Sequence, residues 1–329
     1  MYLNKYIEKN GRESNYDVFN QGGYLIRSIP TEDILLSQYE NDIYNAVDII
    51  VKLLAIENYY GLNDYGFKLY QKMQKNRIGE NWNDRFIDLI RNVDKYGLKN
   101  DSTLETDIKY SIHDGAHRVA LALFHEINDL NVKVYDVDIS RRKYGIDWFS
   151  TNGFTKEELN LIQSKLNEIL NKKNPPYYCI LWPPARHIFD KITGEIERVE
   201  KGISIVDSTE FALDREIFKK FMYDVYNTDD IAPFKLDLKY KYLMESLDKD
   251  NFNDSKLPFV VVKTKLDNPD FKMKGLTGLP QSKKTMRIKK QIRKDNSELI
   301  TDYYYDIIMH MTDNTIQNRD LEKILKKVK

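Results

Sequence analysis

Asp114-Gly-Ala-His-Arg118 brings together residue types that handle phosphate. A short β-leaning run from Ile108 stops at Asp114-Gly115, and an amphipathic helix starts at once through His117 and Arg118, running to Phe124. A glycine turn feeding a helix start presents free backbone amides and the positive end of the helix dipole, a ready place for phosphate. Arg118 adds a forked cation, and His117 on the same turn adds a second contact. Asp114 supplies a carboxylate able to hold Mg2+ or accept a proton. The expected chemistry is nucleotide or phosphate handling. The plain alternative is an Asp-Gly turn in which the aspartate caps a structural helix.

Several elements must position that turn. Alternation over Tyr24–Pro30 predicts a strand, with Thr31 or Asp33 placed to cap the next element. Ile43, Val47, Ile50, Leu53 and Leu54 recur at helical spacing and predict a packed helix over 40–57, with further helices near 64–75 and 82–93. Strict alternation over Val132–Asp138 predicts a strand. Thr155-Lys-Glu-Glu158 is a capping box, and Leu159, Ile162, Leu166 and Ile169 form one apolar stripe behind it. That helix should stop in Asn171-Lys-Lys-Asn-Pro-Pro176, which predicts a boundary between residues 1–174 and 175–329. Beyond it the pattern predicts strands at 177–181, 202–206, 259–264 and 303–310. Helices are predicted at 186–199, 214–226 (capped by Asp214), 234–247, 281–294 and 315–328. The class expected is α/β of the α+β kind.

Among 329 residues, Lys+Arg and Asp+Glu balance at 51 each, which argues against a protein whose main task is coating nucleic acid. Cys179 is the single cysteine, so neither an internal disulfide nor a cysteine metal cluster is expected, and a reducing compartment suits the chain. Met-Tyr-Leu-Asn-Lys-Tyr carries no apolar leader, and the apolar run Ile49–Ile56 is broken by Lys52. No membrane span and a cytoplasmic location are expected.

The Asp-Gly-x-His-Arg turn, together with Arg27-Ser-Ile-Pro30 and the acidic Glu32 and Asp33 after it, resembles the ParB/sulfiredoxin-like superfamily over about residues 24–140. That superfamily contains nucleotide-binding partition proteins, sulfiredoxins and free-serine kinases. The resemblance implies a compact α/β core with a helical insertion. It also implies that Gly115, His117 and Arg118 grip nucleotide phosphates while Asp114 and Glu32 hold the metal. A second likeness begins at Tyr178. Ile180-Leu-Trp-Pro-Pro and Ile192–Val206 are similar in order to the opening of nucleoside diphosphate kinases, and Asp306–Asn314 stands where that family has its histidine segment. This implies a ferredoxin-like domain, a phosphorylated histidine at His310, its neighbours at Thr312-Asp313, and phosphate-binding arginines at Arg287 and Arg293. The family's lysine falls at Trp182 and its glutamate at Leu321, with Glu322 one place out of register. The glycine-rich stretch is echoed only by Gly275–Pro280. The lost lysine argues against an ordinary nucleoside diphosphate kinase and leaves a related phosphotransferase or a degenerate domain.

The expectation is therefore a phosphotransferase that uses Mg2+ and ATP, or another nucleoside triphosphate, on a small hydroxyl acceptor such as an amino acid, sugar or polyol of surface glycan building. Asp114, His117 and His310 are its candidate catalytic residues. His310 and the basic segment also have plainer counterparts: a strand-end histidine held by Asp313 or Asp306, and a solvated face for 283–294. Two other functions stay open: a nucleotide-binding, DNA-associated regulator, and a non-catalytic interaction protein.

Overall fold

The computed structural model describes residues 23–40, 43–79, 83–98, 104–138, 144–229, 233–272 and 280–328. The expectations drawn from the first residues and from most of Gly275–Pro280 lie outside these. The fold is a mixture of α and β, divided into two compact units: Met1–Lys173 with Lys272–Leu279, and Asn174–Phe271 with Pro280–Lys329. No helix among the described residues is long and apolar enough to cross a membrane.

In the first unit, β1 (Tyr24–Pro30) leads into α1 (Thr31–Leu36), and a two-residue ladder joins β2 (Tyr39–Glu40) to β3 (Ile43–Tyr44). Then come α2 (Val47–Tyr59), α3 (Gly66–Ile78), α4 (Asn83–Tyr96), β4 (Leu104–Thr106), β5 (Ile112–Asp114), α5 (Ala116–Phe124), β6 (Asp129–Tyr135), α6 (Ile146–Thr151) and α7 (Lys156–Lys173). The sheet order is β1-β6-β4-β5; β1 runs antiparallel to β6, β6 parallel to β4, and β4 antiparallel to β5. The helix expected from residue 40 starts at Val47 instead. Residues 43–46 spend their main-chain groups on β2, on Gln38 O and on a bridge to Tyr144, which removes them from the helix. Every residue from Val47 to Ile56 is then buried. Gly66 lets α3 lie directly on α2, because a Cβ there would stand 1.9 Å from Leu54 O. The capping box closes reciprocally, with Thr155 N donating to Glu158 Oε2 at 2.8 Å and Glu158 N to Thr155 Oγ1 at 3.3 Å. Neither Thr31 nor Asp33 caps α1 by its side chain; Thr31 Oγ1 donates to Ile127 O at 2.7 Å.

In the second unit, β7 (Tyr177–Leu181) is followed by a 3-10 turn at Pro183–Ile188, α8 (Phe189–Val199), β8 (Ile203–Asp214), α9 (Arg215–Asn227), α10 (Pro233–Lys249), β9 (Lys256–Leu266), α11 (Lys283–Asn296), β10 (Met309–Met311) and α12 (Thr315–Lys326). The sheet order is β10-β7-β9-β8, antiparallel throughout. Two expectations change. The strand expected over 303–310 shrinks to Met309–Met311, because Asp302, Tyr305 and Asp306 adopt left-handed backbone that a ladder cannot carry. The strand expected over 202–206 runs on to Asp214 through a bulge at Ile205/Asp207. Asp214 precedes α9, but its side chain makes no capping hydrogen bond.

Candidate functional site

The sequence-predicted turn opens onto a cavity in the first unit of about 790 Å3, within the ~300–1,000 Å3 usual for small-molecule sites. Asp114 ends β5, Gly115 stands at φ 102°, and α5 begins at Ala116. Only glycine suits this point, since a Cβ would also stand 2.1 Å from Leu104 Cδ2. Arg118 N and Val119 N bond back to Gly115 O at 2.8 and 3.1 Å. The amides of Ala116 and His117 precede any intrahelical carbonyl partner. Asp114, Gly115, Ala116, His117 and Arg118 all line the cavity. Asp114 is exposed, while His117 and Arg118 are partly buried.

Three helices close the rest of the space with charged and polar side chains that the sequence reading did not place there. From α2 come Asp48 and Lys52, from α3 Tyr70, Gln74 and Arg77, and from α4 Arg85. Lys52, 2% exposed, donates to Asp48 Oδ2 at 2.5 Å, and Arg77 NH1 reaches the same oxygen at 3.2 Å. Burial acts against both charges. The neighbouring cations nonetheless bring Asp48 down to about 2, and Lys52 settles at about 8. Arg77 also lies over the Tyr144 ring, 4.3 Å from its centroid. His117 packs edge-on to Phe86 with centroids 4.5 Å apart. Burial, followed by the Lys52 cation, holds its imidazole well below the ordinary 6.5. The missed signal was Lys52 itself. A lysine inside a run of residues that must all be buried is costly unless it serves a partner or ligand.

Glu32 does not join this cavity's lining; it sits on α1, 3.9 Å from Lys173 Nζ. Among the described residues no group of three His, Cys, Asp or Glu side chains is placed to hold a metal ion. A Mg2+ ion bound with a nucleotide needs only one or two protein carboxylates, the rest coming from phosphates and water. Asp114, exposed at the helix start, fits that requirement.

The residues singled out in the second unit are committed to its own packing. His310, 2% exposed, pairs with Ile180 in the ladder, and its Nδ1 lies 3.5 Å from Asp229 Oδ2. Burial and the cations Lys289, Arg293 and Lys239 hold it well below 6.5. Burial lifts Asp229 to about 7. Asp313 takes Lys289 Nζ at 2.7 and 2.8 Å and Thr285 Oγ1 at 2.5 Å. Thr312 Oγ1 accepts from Tyr178 N at 3.0 Å and donates to Asn318. Arg287 makes a forked pair with Glu200, at 2.7 and 3.0 Å. Arg293 donates to Met309 O at 2.9 Å and meets Asp306 at 3.2 Å. Much of the basic face of α11 is thus neutralised by the unit's own acids. Trp182, where a lysine would stand in a nucleoside diphosphate kinase, is wholly buried and donates to Tyr226 Oη at 2.8 Å.

No known protein family, curated protein or solved structure matches this chain.

Proposed function

We propose that the first unit binds a nucleoside triphosphate in the 114–118 cavity and transfers its terminal phosphoryl group to a hydroxyl of a small acceptor. The observation that carries this reading is one space shared by the start of α5, Arg118, Lys52, Arg77 and Arg85. Phosphoryl transfer asks a protein for positioning and charge neutralisation, and this lining supplies both. The acceptor O–H would give its proton to the Asp114 carboxylate as its oxygen bonds to the γ-phosphorus. The bond from phosphorus to the bridging oxygen breaks, and the nucleoside diphosphate leaves. In the alternative role Asp114 would be a ligand to Mg2+, which would supply charge neutralisation when bound. His117, kept uncharged by burial, offers a neutral donor to phosphoryl oxygens.

The mixed four-stranded sheet with its strand–glycine–helix turn supports a ParB/sulfiredoxin-like first unit with a helical insertion. In the second unit the spatial order fourth-first-third-second, antiparallel throughout, supports a ferredoxin-like sheet with added helices. A phosphohistidine step is not part of the proposal, because His310 is enclosed. Buried Cys179 and the need for a nucleotide supply suit a cytoplasmic setting.

The test is a thermal-shift panel of nucleotides with Mg2+, followed by an acceptor screen using labelled triphosphate. Asp114→Asn should keep its melting temperature and lose turnover. A panel that moves no midpoint, or turnover retained in the Asn variant, overturns the reading.

A further inference from the structure

The α2 and α3 side of the cavity lining holds a charge imbalance. Lys52 and Arg77 bring two positive charges to the single carboxylate of Asp48. Lys52 Nζ has three donors, and among the described residues only Asp48 accepts from it. The Arg77 Nε is buried with no hydrogen-bond partner. His117, which shares the lining, stays uncharged. Asp114 and Asp88 also line the cavity, but both are exposed. Arg85 and Arg118 add further positive charge to the wall. A buried net positive charge with spare donors is costly to keep, unless an anion arrives to complete it.

We propose that this side of the cavity is an oxyanion subsite in which Lys52 Nζ and Arg77 bind a phosphate-like dianion directly, with Asp48 offsetting one of their two charges. The inference rests on the nucleotide reading only for the source of that anion. The oxyanion is either the triphosphate's terminal phosphate or an anionic substituent of the acceptor.

Inorganic phosphate is the probe, with binding measured by calorimetry and melting temperature followed in parallel. Lys52→Met removes one charge and leaves Arg77 paired with Asp48. The unliganded variant should therefore melt no lower than the native chain, while its phosphate affinity falls at least about tenfold. Asp48→Asn is the opposite probe: it should melt lower and bind phosphate more tightly. A lysine whose role is only to pair Asp48 gives the reverse pattern, with a lower midpoint in Lys52→Met and unchanged phosphate affinity. That result, or weaker phosphate binding in Asp48→Asn, overturns the subsite.

Competition identifies the source. Phosphate that displaces ATP but binds alongside ADP marks the terminal-phosphate position; phosphate that binds alongside ATP marks the acceptor's anion. Lys52-dependent phosphate binding without any nucleotide binding sinks the nucleotide reading and leaves the subsite standing. Nucleotide binding accompanied by phosphate affinity that is indifferent to Lys52 does the opposite.

Discussion

Tyr70 Oη lies 2.9 Å from His117 Nε2, and Gln74 Nε2 donates to the same hydroxyl at 2.9 Å. A hydroxyl that accepts from Gln74 still has its own proton to give. Among the described residues its one acceptor is His117 Nε2, and donation there leaves the imidazole proton on Nδ1. Lysine, arginine and burial around the ring all oppose a second proton.

Nitrogen NMR of the histidine-labelled chain should accordingly show His117 as the Nδ1–H form, unchanged from about pH 8 to about pH 5.5. Tyr70→Phe removes a hydrogen bond worth about 1 kcal/mol and should let both tautomers populate. The folded pKa lies below the unfolded one, so in acid the unfolded chain takes up a proton that the folded chain refuses. The contribution of His117 is complete above pH 6.5 and is lost as pH falls further, by up to about 1.4 kcal/mol per pH unit. His117→Gln should flatten that part of the stability profile. A native His117 resonance titrating near 6.5 would refute this protonation state.

The turn at Asp114-Gly115 was legible because local chemistry writes it: a β-leaning run, a glycine that can take φ 102°, and a helical pattern directly after. The capping box at Thr155 was legible for the same reason. The cavity's other walls were not, since Lys52, Tyr70, Gln74 and Arg77 meet the turn only through tertiary packing of α2 and α3. Lys52 entered the sequence reading only as the charge that breaks an apolar run. Its meaning depends on its neighbours being buried on every side, which periodicity does not reveal. In the second unit, the left-handed residues Asp302, Tyr305 and Asp306 ended a strand that residue types alone predicted.

Gly115→Ala should be costly in two separable ways. Left-handed backbone charges an alanine about 1–2 kcal/mol, and the new Cβ would meet Leu104 Cδ2 at 2.1 Å. Leu104→Ala in the same chain should relieve the contact and leave the strain. The single variant should lose nucleotide affinity by about tenfold or more as the helix start shifts. Equal affinity in the native and Gly115→Ala chains would show that this helix start binds nothing.

Asp313 looks like a nucleotide contact in sequence but is an ion-pair partner in the fold. Lys289→Met would strand its carboxylate against the Thr285 hydroxyl alone. Breaking a buried pair from one side costs about 3–5 kcal/mol, so denaturant midpoints should fall strongly while nucleotide binding to the folded fraction stays native. Lost nucleotide affinity with unchanged stability would return Asp313 to the binding site.

Trp182→Lys supplies the lysine that the resemblance to nucleoside diphosphate kinases calls for, and it should destroy the second unit rather than activate it. The indole is wholly buried, donates to Tyr226 Oη, and packs edge-on against Phe218 and Phe221. Removing it costs about 3–5 kcal/mol in lost packing, and an unpaired ammonium in its place adds several more. That total approaches the whole stability of a domain, about 5–15 kcal/mol. Near-ultraviolet circular dichroism should lose its aromatic signal, and proteolysis should digest the unit beyond Asn174. A folded Trp182→Lys chain that gains phosphate exchange between nucleotides would establish a kinase site there after all.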